Sequence, residues 1–301
     1  MQKKLTLLAV SFVAVAAAVA VILASSVSQP SQTPSVAVTW GLLAEVVYRL
    51  GGGEIEVHQL LPPGTELHDW EPTPETVNIV GRSRLLIYTL RGLDDWAAGL
   101  ADTTGVRSFE SSQGILTELT IIDGGQTFVD PHIWLSPQNM VKIVKNVADE
   151  LAKVFPEMSG KIMSNAESMV SELEDLDRLM GERLKPYVGR LFITQHDSFR
   201  YFAASYGLRA FGILGIEESE PTPSRLAEIH GLIRSERIGA VYGEDGIIHP
   251  ILESIQADTG VKILMLYTGE GLTLDDVMKG VGYTAMMMKN LEALVEGFEN
   301  G

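Results

Sequence analysis

The chain has 301 residues, enough for two domains of ordinary size, and its 46% apolar and 21% charged content is that of a globular protein, which excludes extended disorder. A formal charge of -16 excludes a nucleic-acid partner, because phosphates require a basic face, and is compatible with a cationic ligand. Cysteine is absent, which removes disulfides, thiolate metal sites, cysteine nucleophiles and a lipid-modified cysteine, and leaves His, carboxylate, carbonyl or water as donors for any metal.

Lys3 and Lys4 open a targeting segment, followed by an uncharged apolar run, Leu5 to Ala24, of about the twenty residues that span a bilayer. A Ser/Gln/Pro-rich spacer, Ser25 to Ser35, comes next. Residues 1–34 are therefore expected to form a signal peptide, cleaved near Ala24-Ser25-Ser26, or an uncleaved N-terminal membrane anchor. Either fate places the rest of the chain outside the cytoplasm, in a periplasm or at the outer face of the cell membrane.

From Ser35 onward strand and helix alternate. Val36 to Trp40 reads as a strand, Leu42 to Leu50 as a helix stopped by Gly51-Gly52-Gly53, and Ile55 to Leu61 as a second strand. A helix opens near Thr73-Pro74, where Thr suits the cap and Pro the first turn, and Arg84 to Thr89 is a further strand. Leu93 to Leu100 and Gly114 to Ile122 carry weaker patterns. Pro137 to Val154 is an amphipathic helix, and Pro156 to Lys185 a longer one, with Ile162, Met169, Leu173, Leu176, Leu179 and Leu184 on its apolar stripe. A rod of that length fits best as a connection between two lobes, and Pro186 ends it.

The alternation then resumes. Strands are expected at Arg190 to Thr194, Arg209 to Leu214, Ile238 to Tyr242 and Lys262 to Tyr267. Helices are expected at Ser198 to Tyr206, from Thr222-Pro223, from Pro250, and as a closing helix from Leu274 to Phe298. Strands separated by single helices imply right-handed βαβ units and parallel sheets. The expected fold is thus α/β: two Rossmann-like lobes, residues 35–155 and 187–301, joined by a long rigid backbone helix over 156–186. Glu71-Pro72-Thr73-Pro74 recurs as Glu220-Pro221-Thr222-Pro223, which supports two similarly built lobes.

Three histidines, His68, His132 and His196, each follow an apolar strand-like run and precede a helix start. His132 lies in Val129-Asp130-Pro131-His132-Ile133-Trp134-Leu135-Ser136-Pro137, where two prolines stiffen the loop that presents the imidazole. Ligands of parallel sheets sit beyond the carboxyl ends of the strands. Two of these histidines belong to the first lobe and one to the second, so they converge only in the cleft between lobes. Three neutral imidazoles and a carboxylate suit Zn²⁺, while Mn²⁺ prefers more oxygen. His58, in a strand, His230, mid-helix, and His249, before a helix, read as structural or surface residues.

Around His68 the chain runs Pro62-Pro63-Gly64-Thr65-Glu66-Leu67-His68-Asp69-Trp70-Glu71-Pro72-Thr73-Pro74; around His196 it runs Thr194-Gln195-His196-Asp197-Ser198-Phe199-Arg200-Tyr201-Phe202. Together with the His132 segment these resemble the zinc/manganese solute-binding proteins of ABC importers, and the likeness extends from about Ser35 to the C-terminus. The resemblance implies metal capture between two α/β lobes and delivery to a membrane permease driven by a cytoplasmic ATPase. It implies zinc for a three-histidine site, with manganese as the alternative, since manganese sites of that family often place a carboxylate at the position of His196. The family's fourth ligand is commonly an Asp after the last strand. Here Gly269 stands at that place and Glu270, one residue on, is the candidate; the alternative is a solvated loop carboxylate with water completing the site. Asp275, Asp276, Glu244 and Asp245 are weaker candidates.

Asp69, Asp130 and Asp197 are candidates to accept a hydrogen bond from a ligand's other ring nitrogen or to cap a turn, the cap being favoured for Asp197. Trp70 and Trp134 either shield the site from water or pack. The long histidine-rich loop of some zinc members of the family is missing. No segment marks an oligomer interface, so a monomer is expected, associated with the membrane through its N-terminal segment. A binding protein without enzymatic activity is the expected function. An extracytoplasmic zinc hydrolase is the alternative, because three histidines with an open fourth position also describe catalytic zinc; no His-Glu-x-x-His helix or Gly-x-Ser-x-Gly turn is present. A binder of haem, corrinoid or siderophore on a similar frame would not need three converging histidines.

Overall fold

Short strands form two parallel sheets, and the two central strands of each sheet are fully buried. The computed structural model describes residues 34–301 apart from 64, 66, 68, 69, 124, 125 and 216–220. The expected leader lies outside the described residues, and among those described no helix is long and apolar enough to cross a membrane. The first sheet is built from β1 (Ser35–Val38), β2 (Glu56–Gln59), β3 (Leu85–Tyr88) and β4 (Ser108–Glu110), with helices α1 (Gly41–Gly51), α2 (Pro74–Arg82) and α3 (Trp96–Thr104) between them. Its order is β2-β1-β3-β4, parallel throughout. An antiparallel hairpin, β5 (Thr120–Asp123) and β6 (Gln126–Val129), leads out of this lobe.

Two helices follow, α4 (Pro137–Val154) and α5 (Ser159–Leu184), linked by a 3₁₀ turn at Pro156–Met158 and packed on each other. The second lobe runs through β7 (Leu191–His196), α6 (Arg200–Tyr206), β8 (Arg209–Leu214), α7 (Pro223–Ser235), β9 (Ala240–Glu244), α8 (Pro250–Thr259) and β10 (Lys262–Leu266). It closes with α9 (Leu274–Met278) and α10 (Tyr283–Glu299). The second sheet has the order β10-β9-β7-β8, again parallel.

Renumbered within each lobe, both sheets have strand order 2-1-3-4. The repeated Glu-Pro-Thr-Pro stretch falls at the same topological place in each, before the helix that joins second to third strand. Thr73 accepts from the backbone N–H of Thr76 and Thr222 from that of Arg225, at 3.3 and 3.2 Å, with a proline in the first turn of each helix. The order reverses between β1 and β3, and between β7 and β9, and ligands of open α/β sheets collect beyond the carboxyl ends of strands at such points.

The long helix spans 26 residues, about 39 Å at 1.5 Å per residue. Its buried stripe is Ile162, Ala166, Met169, Leu173, Leu176, Met180 and Leu184. Leu179, expected on that stripe, is exposed; steps of four after Leu176 keep Met180 and Leu184 in line and leave Leu179 turned outward. One hydrophobic cluster runs from Val36 and Ile87 of the first sheet, through Val47 of α1, Met140 of α4, Leu173 of α5 and Leu291 of α10, to Phe192 and Tyr242 of the second sheet. The connecting helices therefore share a core with both lobes.

The closing helix departs from expectation. It is two helices, interrupted at residues 279–282, where Gly280 takes a left-handed φ of 83°. The interruption lets the start of α10 meet a buried carboxylate: Glu45 of α1 accepts from the backbone N–H of Tyr283 at 2.7 Å, and a Cβ on Gly282 would lie 2.4 Å from Glu45 Oε1. Glu45 also pairs with Arg49, which binds Glu172 of α5, so one polar network ties α1, α5 and α10. The β5–β6 hairpin was not expected either, although Gly124-Gly125 between two strand-like runs is a hairpin signal.

Gly41, at the first turn of α1, receives the loop that follows β10. A Cβ there would lie 1.7 Å from the carbonyl oxygen of Leu272. Gly41→Ala is expected to lower stability by about 1–3 kcal/mol, the cost of overpacking a tight contact. Chemical denaturation of the metal-free protein checks this, and an unchanged midpoint would show that the loop yields without cost.

Candidate metal centre

His132 is presented by the segment between β6 and α4. Asp130, fully buried, accepts from the backbone N–H of His132 at 2.9 Å and lies 2.8 Å from its Nδ1. The carboxylate thus holds the ring in the tautomer that donates from Nδ1, and Nε2 faces the cleft. Trp134 packs beside this ring, 5.3 Å between centroids, and is fixed in turn. Its Nε1–H donates to the carbonyl of Thr268 at 2.8 Å, its own carbonyl accepts from the Tyr283 hydroxyl at 2.8 Å, and Trp40 packs edge-on against it.

His196 is the last residue of β7, the strand at the order reversal of the second sheet. The strand was expected to end at Thr194; pairing of His196 with Leu214 extends it. Glu244, at the end of neighbouring β9, accepts from the backbone N–H of His196 at 3.1 Å and makes a short contact with His196 Nδ1. The arrangement repeats that of Asp130 and His132: one carboxylate takes both the main-chain N–H and the ring Nδ1–H, and Nε2 is turned outward.

The two outward nitrogens meet. His132 Nε2 and His196 Nε2 are 3.3 Å apart, and Glu270 Oε1 is 3.5 Å from His132 Nε2. Ligand atoms of His132, His196 and Glu270 all lie within 4.8 Å of one another. Tetrahedral bonds of about 2.05 Å set ligand atoms roughly 3.3 Å apart, so these two separations are close to the edges of a zinc-sized tetrahedron. His132 and His196 are both buried, and the carboxyl ends of β7 and β9 from one lobe face the His132 loop of the other.

Of the remaining candidates, His68 and Asp69 lie outside the described residues. Leu67 beside them is fully buried, and Trp70 packs edge-on against Trp96. Glu244 serves His196 as a partner behind the ring, and Asp245 binds the loop of Glu270. Asp276 caps α9 from within, Asp275 pairs with Lys279 on the surface, and Asp197 binds Arg200. None of these five carboxylates is in the converging group. His58 pairs with Glu56 and His230 with Asp258, while His249 Nδ1 accepts from the backbone N–H of Ile251. Glu244 was the partner the sequence concealed, because only the sheet brings a residue 48 positions later beside His196.

Burial by itself lowers the pKa of an imidazole, yet both rings are held above their ordinary value. Asp130 and Glu270 outweigh burial at His132, and Glu244 does so at His196. The two Nε2 atoms lie within hydrogen-bond distance, so the rings titrate as a coupled pair. Burial also pushes Asp245 up, to about 6.

Residues 36–297 match the family described as zinc-uptake complex component A, periplasmic, and the chain belongs to that family. It is 27% identical to the zinc-binding lipoprotein AdcA of Streptococcus pneumoniae across 97% of this chain, spanning 60% of that protein's length. It is 29% identical to the high-affinity zinc uptake system protein ZnuA of Bacillus subtilis, with 79% of each chain covered. Among solved structures, the Zn(II)-bound ZnuA-like domain of Streptococcus pneumoniae AdcA superposes with a TM-score of 0.75 at 28% identity, over 88% of this chain and 99% of that one.

A divalent ion binds neutral imidazoles, so its entry releases a proton that the raised pKa values hold on the rings. Zinc uptake near pH 7 is expected to release about one proton, read from calorimetry in buffers of different ionisation enthalpy. The same raised pKa contributes stability to the metal-free protein below the free-imidazole value of about 6.5. That contribution is lost as pH rises through the alkaline range, so the thermal midpoint should fall there. A buffer-independent heat would contradict the protonated pair.

Proposed function

We propose that this chain is an extracytoplasmic binding protein that captures a divalent metal, zinc before manganese, and delivers it to the membrane permease of an ABC importer. His68, His132, His196 and Glu270 are its ligands, two from a first lobe over 35–155 and two from a second over 187–301, with 156–186 between them. The observation that carries this reading is the convergence of two imidazole Nε2 atoms, 3.3 Å apart, with a carboxylate oxygen 3.5 Å from one of them, each ring backed by its own carboxylate. A donor set of three nitrogens and one oxygen favours zinc, in keeping with relatives named for zinc binding and zinc uptake. The apolar Leu5–Ala24 run associates the monomeric chain with the membrane, its lobes outside.

A hydrolase is the weaker reading. Asp130 and Glu244 are occupied in holding the rings and Glu270 stands among the ligands, so no carboxylate of the group is left over as a general base, and the burial of His132 suits holding an ion rather than turning over a substrate. Delivery requires the lobes to part by a small amount, since the shared core limits hinge opening.

Thermal unfolding of chelator-stripped residues 34–301, with Zn²⁺ or Mn²⁺ added back, tests the reading. A ligand present at a thousand times its Kd adds about 4 kcal/mol of stability. A zinc shift of that size, reduced in His68→Ala, His132→Ala and His196→Ala, is the expected result. A larger manganese shift would reassign the metal, and no shift with either would sink the site.

A further inference from the structure

We propose that Asp245 is a positioning residue for Glu270, and that the single turn after β9 thereby sets both metal ligands of the second lobe. The proposal rests on the reading of Glu270 as a zinc ligand.

The turn is Glu244-Asp245-Gly246-Ile247, closed by a backbone hydrogen bond from Glu244 to Ile247 and one back, at 3.1 and 2.7 Å. Asp245 and Gly246 have φ of 47° and 85°. Two consecutive left-handed residues define the tight turn for which Asp-Gly is a preferred pair. The chain reverses so sharply here that neighbouring carboxylates serve different elements. Glu244 reaches back to His196 on β7. Asp245 reaches across to the loop after β10, accepting from the backbone N–H of Thr268 at 3.1 Å, from the Thr268 hydroxyl in a short contact, and from the N–H of Gly269 at 3.4 Å.

That loop, Tyr267-Thr268-Gly269-Glu270-Gly271, has glycine on both sides of the ligand, and Gly269 has a φ of 90°. Glycine flanks place little restraint on where Glu270 points, so its direction depends on what grips the loop. Thr268 is the grip. Its carbonyl is held by Trp134 from the first lobe, its N–H and hydroxyl by Asp245, and its hydroxyl oxygen accepts from the N–H of Glu270 at 3.3 Å. The path from Asp245 to the ligand is therefore two hydrogen bonds long and passes through one side-chain oxygen. Asp245 itself stands outside the converging group of ligand atoms. Partners behind metal ligands typically contribute 10- to 100-fold in affinity by fixing the ligand's orientation.

The test measures zinc affinity of the full-length chain in detergent by competition with a chelator of known strength. Asp245→Gly removes the carboxylate without straining a left-handed position, whereas Asp245→Asn keeps an acceptor for both N–H groups and suits the same turn. Asp245→Gly is expected to weaken zinc binding about 10- to 100-fold and Asp245→Asn about threefold or less. Because Asp245 acts through Glu270, the Asp245→Gly/Glu270→Ala double variant should bind no more weakly than Glu270→Ala alone. Thr268→Val, which keeps side-chain size, should weaken binding in the wild-type background and not in Glu270→Ala; it decides the matter if Asp245→Gly does not fold. Wild-type affinity in Asp245→Gly, or losses that multiply in the double variant, would overturn the proposal while leaving the zinc site standing. Undiminished affinity in Glu270→Ala would instead remove Glu270 from the ligands, and the proposal with it.

Discussion

Two imidazoles buried within 3.3 Å of each other are costly unless each is held by an acceptor and the space between them is filled by a positive charge. Asp130 and Glu244 meet the first condition in the same manner, each binding the main-chain N–H and the ring Nδ1–H of its histidine. A cation between the two Nε2 atoms would meet the second. The rings are therefore oriented in advance, with both Nε2 atoms turned toward the place a cation would take. Preorganisation of this kind favours tight binding, because little ordering remains to be done when the ion arrives.

The frame that makes this possible is a duplicated one. Both sheets have the same strand order, and in the second the carboxyl ends of β7 and β9 bring His196 and Glu244 to the site. The lobes are joined through more than the connecting helix. Trp134 of one bonds the Thr268 carbonyl of the other, Leu272 sits on Gly41, and Glu45 receives the N-terminus of α10. With a hydrophobic cluster that runs from one sheet to the other, these contacts oppose wide separation and leave small displacements as the inexpensive motion.

Membership of the zinc-uptake component family accords with the frame, whereas the turn after β9 concerns how the converging side chains are held. Glu244 and Asp245 are adjacent in sequence yet hold two different members of the converging group, a division of labour that depends on the left-handed backbone at Asp245. Had that residue remained extended, the strand would have continued and the two carboxylates would have alternated to opposite faces of a sheet.

Much of this protein was legible in its residues. The absence of cysteine restricted the donors to nitrogen and oxygen, glycine and proline marked most element ends, and prolines on either side of His132 announced a stiff presenting loop. Asp130 could be picked out as a partner because it lies two residues from His132. Glu244 could not, nor could the break in the closing helix, because the first depends on a residue 48 positions away and the second on a carboxylate 238 positions away. Local pattern sets which face of an element is apolar and where the backbone can turn. It carries no trace of a hydrogen bond made across a sheet or between lobes, so the pairing of His196 with Glu244 was decided only when the chain packed.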